Sequence, residues 1–169
     1  MRKVALIGFM GSGKSSVAPL LATALGYRLV DVDSEIISRS GLPSIRDIFS
    51  ARGEPFFRDL EAAVAESLTD TAHVVVSTGG GIIGRHTNIE HLRMNGGAII
   101  FLRTRFETVT ARISDFASRP LFRDIDRART LYAERQQLYK EYADLVVDTD
   151  DKTPGQVCDE IVATLGTLS

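Results

Sequence analysis

Eight residues near the start of the chain have the types and the spacing that bind a polyphosphate. Residues 8–15 read Gly-Phe-Met-Gly-Ser-Gly-Lys-Ser and fit the P-loop pattern G-x-x-x-x-G-K-[ST]. In this pattern backbone N–H groups and the next helix N-terminus face the phosphates, while the Lys and the hydroxyl serve the outer phosphates and Mg²⁺. The candidate nucleotide-binding residues are Gly11, Ser12, Gly13, Lys14, Ser15 and Ser16.

The residues around this segment predict the structural context that a P-loop needs. The apolar run 4–7 is typical of a buried parallel strand, and the apolar residues of 17–25 follow at helical spacing. The alternative, a glycine-rich turn with an incidental lysine, does not explain this order of strand, loop and helix. Pro19 lies inside the predicted helix and lacks the N–H that would bond toward Ser15, so we expect a local kink there.

Length and charge limit the classes of protein to which the chain can belong. A chain of 169 residues is typical of one domain, here 1–169, and a net charge of −2 gives no reason to expect nucleic acid or a membrane as the partner. The lone Cys158 cannot form an internal disulfide, and no stretch approaches the roughly 18 apolar residues of a membrane span. We expect a cytoplasmic protein that acts as a monomer.

Two carboxylates follow the second predicted strand, which covers Arg28 to Val30. Asp31 and Asp33 are two residues apart and should face the P-loop, because ligands of parallel sheets bind at the carboxyl ends of the strands. The alternative is that one of them caps the next helix, predicted over 34–39. The strand over 73–77 ends in Ser and Thr instead of the usual Asp, so Asp31 is the best candidate to support the metal.

Three successive glycines and an arginine are candidates for contacting a second ligand. Gly79, Gly80 and Gly81 follow a predicted buried strand, and bare backbone allows a ligand to approach closely, although a plain turn would have the same composition. Arg58 precedes Glu61 by three residues on a predicted helix. From the pattern alone, these two side chains could simply pair on the helix surface.

Two further arginines have unusual positions. Arg119 lies beside a proline in the aperiodic stretch 114–124, which we interpret as a mobile lid, the alternative being a solvated loop. Arg135 lies on the same predicted helical stripe as Leu131, Leu138 and Tyr142. A guanidinium buried there needs an anionic partner from protein or ligand, unless the side chain extends to the surface.

Strands and helices alternate along the whole chain. The pattern predicts an α/β fold with a five-stranded parallel sheet, helices on both faces, a substrate-binding helical region over about 33–61 and the lid. The P-loop, Ser15, Asp33 and the lid arginines are the set that phosphoryl transfer needs, and an acceptor with a carboxylate would explain Arg135.

Seven segments in order resemble the shikimate kinases over essentially the whole chain. They are the P-loop, Asp31 to Asp33, Phe57-Arg58 with Glu61, Thr78 to Gly81, Arg119 to Leu121, Arg135 with Leu138-Tyr139, and Asp148-Thr149. The resemblance implies a P-loop kinase fold like that of nucleoside monophosphate kinases. It also implies ATP-dependent phosphorylation of the 3-hydroxyl of shikimate, a step of aromatic amino-acid biosynthesis.

The resemblance also implies roles for single residues. Asp33 would hold the acceptor hydroxyls, and Arg58 and Arg135 would bind the shikimate carboxylate beside the backbone of Gly79 to Gly81. Arg119 would close from the lid onto the phosphates and act in catalysis with Lys14 and Asp33. Arg112 would lie against adenine, Ser15 would bind Mg²⁺ directly, and Asp31 would bind it through water.

Two other functions fit part of the pattern. A different small P-loop kinase, for gluconate or a nucleoside monophosphate, would share the loop but would not need two arginines for a carboxylate. A non-catalytic nucleotide-binding module would be expected to have lost Lys14, Ser15, Asp33 or Arg119, and all four are present.

Overall fold

The computed structural model describes residues 2–113 and 124–168, and within them strands and helices alternate. The strands are β1 (Lys3–Ile7), β2 (Arg28–Asp31), β3 (Val74–Ser77), β4 (Gly97–Arg103) and β5 (Leu145–Asp148). The helices are α1 (Lys14–Leu25), α2 (Val32–Ser40), α3 (Ile45–Ser67), α4 (His86–Arg93), α5 (Phe106–Arg112), α6 (Ile125–Tyr142) and α7 (Pro154–Leu168). A 3₁₀ helix, Ile82–Gly84, lies between β3 and α4.

The five strands form one sheet in the order β2-β3-β1-β4-β5, and every neighbouring pair is parallel. The predicted fold class is therefore confirmed. Because the strands are parallel, the loops after β1, β2, β3 and β4 all leave the same edge of the sheet. The P-loop follows the central strand β1, and the glycine segment 79–81 follows its neighbour β3, so the two loops lie side by side.

The core has two layers, one on each face of the sheet. Along β1, Ala5 and Ile7 pack on the face covered by α2, α3, α4 and α6, whereas Val4 and Leu6 pack on the face covered by α1 and α7. All four side chains are fully buried. Burial of both faces explains why β1 reads as a continuous apolar run instead of an alternating one.

Two local predictions about the helices had different outcomes. Gly53 and Pro55 predict that a short helix ends and a longer one begins there, and the break is confirmed, because α3 is kinked at Gly53, which has a φ of 82°. The kink expected at Pro19 is not seen, since α1 continues through Pro19 without a non-helical residue. Within the described residues, no helix is both long and apolar enough to span a membrane.

A buried lysine ties the start of the sheet to the ends of two helices. Lys3 is fully buried, and its ammonium donates to the carbonyl oxygens of Leu68 at 2.6 Å, Thr69 at 3.0 Å and His91 at 3.2 Å. Leu68 caps the C-terminus of α3, so the cation meets carbonyl groups that the helix cannot bond internally. Burial lowers the pKa of Lys3, and Asp70 opposes this shift.

We expect Lys3→Met to lower the free energy of unfolding by about 1–3 kcal/mol, because it leaves buried carbonyl oxygens without their donor. Urea denaturation would measure the loss, with Lys140→Met on the exposed face of α6 as the control. Turnover of the folded variant should stay normal, since Lys3 lies at the end of β1 opposite the P-loop. Equal stability of the two variants would contradict this role of Lys3.

Candidate active site

The P-loop has a backbone shape that only glycine adopts easily. Its glycines have φ values of 154° at Gly8, 78° at Gly11 and 100° at Gly13. A Cβ on Gly8 would lie 2.8 Å from both the carbonyl oxygen of Leu102 and the hydroxyl of Ser12, so no side chain fits there. The loop therefore presents bare backbone at the N-terminus of α1, which starts at Lys14.

The P-loop lysine lies within its own loop. The ammonium of Lys14 donates to the carbonyl oxygens of Gly8 at 2.5 Å and Phe9 at 2.9 Å and to the hydroxyl of Ser12 at 3.3 Å. The side chain is only 7% exposed. Ser15 and Ser16 follow in the first turn of α1 and are exposed. The structure thus places every predicted nucleotide-binding residue of segment 11–16 around one cradle.

Arg112, the last residue of α5, contacts the P-loop. Its guanidinium donates to the carbonyl oxygens of Gly11 at 3.2 Å and Ser12 at 3.3 Å. The same group donates to the hydroxyl of Thr149 at 3.2 Å and to its carbonyl oxygen at 3.0 Å. Arg112 therefore joins the end of α5 to the P-loop and to the loop after β5.

Asp31 and Asp33 would point the same way if both followed the alternation of one strand, but the structure differs from this expectation. Asp31 ends β2, whereas Asp33 lies in the first turn of α2. Asp31 caps α2, and its carboxylate accepts from the N–H of Ser34 at 2.9 Å. The capping alternative is thus confirmed for Asp31. Asp33 is half-buried and lies against the glycine segment that follows β3.

Each glycine of segment 79–81 is approached by charged side chains. The point where a Cβ of Gly79 would lie is 3.2 Å from Asp33 Oδ1 and 3.5 Å from Glu61 Oε2. The same point on Gly80 is 3.3 Å from Arg135 Nη1, and a Cβ on Gly81 would overlap the guanidinium of Arg58. Three helices therefore send charged groups to one stretch of bare backbone.

The glycine segment also abuts the P-loop. The Cβ position of Gly80 is 3.6 Å from the carbonyl oxygen of Gly8. In addition, the guanidinium carbon of Arg135 lies 6.0 Å from the ring centre of Phe9, a P-loop residue. The glycine segment and Arg135 are thus adjacent to the P-loop.

Arg58 is held by two glutamates of its own helix. Its guanidinium contacts Glu61 at 3.0 Å and Glu54 at 3.3 Å. The side chain of Glu54 is 61% exposed, whereas that of Glu61 is 1% exposed. The pairing that the sequence suggested is therefore present, but it is not a surface pair, because Glu61 is buried beside the glycine segment.

The sequence pattern indicates Glu61 only as a partner of Arg58, but the structure places its carboxylate beside the glycine segment. Among the described residues, its Oε2 has no hydrogen-bond partner. Burial raises the pKa of Glu61, and the guanidinium of Arg58 opposes the rise. A signal was present in the sequence, because Glu61 lies four residues after Phe57 and three before Val64, which places it on the apolar face of the helix.

The inward face of α6 also differs from the expected stripe. Leu138 was predicted to face inward but is 37% exposed, and Tyr139 is fully buried instead. The buried face runs through Ala128, Tyr132, Arg135 and Tyr139, a spacing of four, three and four residues. The inward position of Arg135 itself is confirmed, because this half-buried side chain contacts Gly80.

A cavity of about 380 Å³ brings the two predicted carboxylate-binding arginines together. Its lining includes Arg58, Glu61, Gly81, Arg85 and Arg135. Asp33 and Gly79 do not line this cavity, but the Cβ position of Gly79 is close to both Asp33 and the lining residue Glu61. Guanidinium groups that share a cavity of this size are suited to a small carboxylate.

Two predicted features, the lid and the metal site, remain to be compared with the structure. Arg119 and residues 114–123 of the predicted lid lie outside the described residues. In the described part of the chain, no three His, Cys, Asp or Glu side chains form a metal cluster. The oxygen donors of Ser15 and Asp31 nevertheless fit a Mg²⁺ ion that keeps most of its waters.

The chain is similar to known proteins over nearly its whole length. The family model described as shikimate kinase matches residues 10–166. The shikimate kinase of Persephonella marina is 41% identical over 163 residues, which are 96% of this chain and 98% of that protein.

Two solved structures extend the similarity to three dimensions. Shikimate kinase from Acinetobacter baumannii in complex with shikimate has a TM-score of 0.92 and 31% identity and covers 100% of this chain and 95% of that one. Shikimate kinase from Aquifex aeolicus has a TM-score of 0.84 and 35% identity, with 98% and 97% covered. The expected P-loop kinase fold is confirmed, and the chain belongs to the shikimate kinase family, whose members phosphorylate shikimate with ATP.

Proposed function

We propose that ATP binds at the P-loop and shikimate at the glycine segment 79–81, and that the γ-phosphoryl group passes to the 3-hydroxyl of shikimate. The observation that carries this assignment is the pair Arg58 and Arg135, which share one cavity beside the P-loop. A neighbouring carboxylate, Asp33, completes the set that a hydroxyl acceptor with a carboxylate requires. The products are ADP and shikimate 3-phosphate.

ATP is held mainly by backbone groups in this proposal. The N–H groups of segment 11–16 and the N-terminus of α1 face the phosphates, and Lys14 leaves its loop carbonyls to bind the outer phosphates. Arg112 lies against adenine, and Arg119 reaches the phosphates from the lid. Each cation stabilises charge on the transferring group, which is the main task of a protein in phosphoryl transfer.

Mg²⁺ belongs to the same proposal. Ser15, exposed in the first turn of α1, would bind the ion directly, and Asp31 would bind it through water. The Asp31 carboxylate caps α2 through one oxygen, and carboxylate oxygens have further lone pairs that accept from a metal-bound water. When bound, Mg²⁺ would neutralise charge on the phosphate oxygens.

Asp33 is the proton acceptor in this mechanism. The shikimate hydroxyl attacks the γ-phosphorus, the bond from that phosphorus to the bridging oxygen breaks, and the hydroxyl proton passes to the carboxylate of Asp33. Arg58 and Arg135 hold the substrate carboxylate in bidentate fashion, and the backbone of segment 79–81 completes the pocket. Glu61 keeps Arg58 oriented through its 3.0 Å contact.

The remaining properties of the chain are proposed from its charge and size. We propose a single domain that acts as a cytoplasmic monomer, without nucleic acid or a membrane as partner. The weak net charge of −2 supports the absence of such electrostatic partners.

A coupled assay of ADP release tests the proposed function. ADP should appear rapidly with ATP, Mg²⁺ and shikimate, and slowly without shikimate. Gluconate and nucleoside monophosphates should give no stimulation, and shikimate methyl ester should give little, because the arginines lose their anion. Stimulation by gluconate or by a nucleoside monophosphate would assign another kinase activity. ATP binding without turnover of any acceptor would indicate a nucleotide-binding module.

Replacement of Asp33 by Asn should lower kcat by roughly 10² to 10⁴, because the amide keeps the shape but cannot accept the proton. ATP affinity, measured separately, should stay unchanged. Asp59→Asn is the control, since Asp59 is an exposed α3 residue that pairs with Arg85 at 2.8 Å. If kcat holds while shikimate binding weakens, Asp33 positions the hydroxyl and is not the base.

Gly81→Ala should raise the KM for shikimate by about tenfold or more, because the new Cβ overlaps the guanidinium of Arg58. The KM for ATP should barely change. Gly84→Ala is a matched control, since it lines the same cavity and a Cβ there meets nothing within 4 Å. Steady-state kinetics with each substrate varied would measure both effects, and an equal rise for ATP and shikimate would argue against a separate carboxylate pocket.

A further inference from the structure

Tyr139 connects two parts of the proposed shikimate pocket through one hydroxyl group. The residue is fully buried on α6, four residues after Arg135, and its ring lies 5.1 Å from that of Phe101. Its hydroxyl donates to the carbonyl oxygen of Gly80 at 2.6 Å. The Cβ position of Gly80 is 3.4 Å from this hydroxyl and 3.3 Å from Arg135 Nη1, so the three groups meet at one point.

The protons available at this point fix the direction of each hydrogen bond. A phenol has one proton, and Tyr139 gives it to the Gly80 carbonyl, so only lone pairs of the hydroxyl remain. Arg135 has only donors, and it hydrogen bonds to this hydroxyl. Burial raises the pKa of Tyr139, so the hydroxyl keeps its proton at neutral pH. The result is a directed chain from Arg135 through Tyr139 to Gly80.

We infer that Tyr139 is a positioning residue for the acceptor carboxylate, because its hydroxyl fixes both the guanidinium of Arg135 and the peptide of Gly80. The inference rests on the proposed role of Arg135 in binding that carboxylate. An arginine side chain has many rotamers, and each rotamer excluded before binding lowers the entropy lost on binding. Tyr139 does not itself contact the substrate and acts only by positioning Arg135 and Gly80.

A purely structural hydroxyl and a positioning hydroxyl have different kinetic effects. If the hydroxyl only joins α6 to the glycine segment, its loss lowers stability and leaves the affinity for shikimate unchanged. If it holds Arg135, its loss weakens a contact that the bound substrate and the transition state share equally. Loss of such uniform binding raises KM and leaves kcat nearly unchanged.

The first experiment is Tyr139→Phe, which removes the hydroxyl and keeps the ring. We expect the KM for shikimate to rise about five- to twentyfold, with kcat within about threefold and the KM for ATP unchanged. Tyr132→Phe is the matched control, because this α6 hydroxyl also donates to a backbone carbonyl, that of Thr104 at 2.5 Å, away from the cavity. The control should leave the KM for shikimate unchanged.

The second experiment combines Tyr139→Phe with Arg135→Ala in a double-mutant cycle. If Tyr139 acts through Arg135, Tyr139→Phe should add little further loss of shikimate affinity in the Arg135→Ala background. The stabilisation that saturating shikimate gives against heat provides a second measure of binding, and it also serves for a variant of lowered stability.

The outcomes separate the inference from the function on which it rests. A lower thermal midpoint for Tyr139→Phe with an unchanged KM for shikimate overturns the positioning role and leaves the arginine pocket intact, as does an equal loss in both backgrounds. Normal shikimate affinity in Arg135→Ala rejects the proposed role of Arg135, and the role of Tyr139 with it.

Discussion

The site depends on the close approach of charged side chains to bare backbone at one edge of the sheet. Asp33 from α2, Arg58 from α3 and Arg135 from α6 each lie where a Cβ of segment 79–81 would be or would touch. Any side chain on this segment would push these groups away from one another. Three glycines in sequence therefore act as a spacing element, which sets how near an acid and two cations lie to the P-loop.

The sheet also constrains the site, because it fixes where the P-loop and the glycine segment lie relative to each other. The P-loop and the glycine segment follow neighbouring parallel strands, so they meet at the same edge, with the Cβ position of Gly80 3.6 Å from the carbonyl of Gly8. Both strands are buried on their two faces, which leaves little freedom for one to slide along the other. The distance between the P-loop and the glycine segment is thus fixed by the core.

Local patterns were enough to predict the elements and several of the side chains that lie beside the P-loop. The P-loop, the five strands, the break at Gly53 and the inward Arg135 follow from residue types, from continuous apolar runs and from a period of 3.6 residues. The order of the strands did not follow, because it depends on contacts between segments that are far apart in sequence. The same limit applies to Asp33, whose place beside Gly79 brings the first turn of α2 to the loop after β3, although these residues are far apart along the chain.

One error had a more specific cause. The predicted stripe on α6 contains Leu138, which is 37% exposed, whereas its neighbour Tyr139 is fully buried. The helical period could not decide between these two residues, because positions 131, 135, 138 and 142 and positions 128, 132, 135 and 139 are both spaced by four, three and four residues. Burial of Tyr139 is made possible by the hydrogen bond from its hydroxyl to Gly80, which joins segments that are far apart in sequence.

The two glutamates that pair with Arg58 differ in burial, so one of the two ion pairs is more easily replaced than the other. Removal of Glu61 would leave a half-buried guanidinium without its nearest anion, and Glu61 itself is only 1% exposed. Glu54 is 61% exposed, and an exposed ion pair contributes only about 0–1 kcal/mol. In the proposed function, a carboxylate that enters the cavity would therefore compete with Glu54 and not with Glu61. Arg58 would keep one permanent partner for its orientation and exchange the other at little cost.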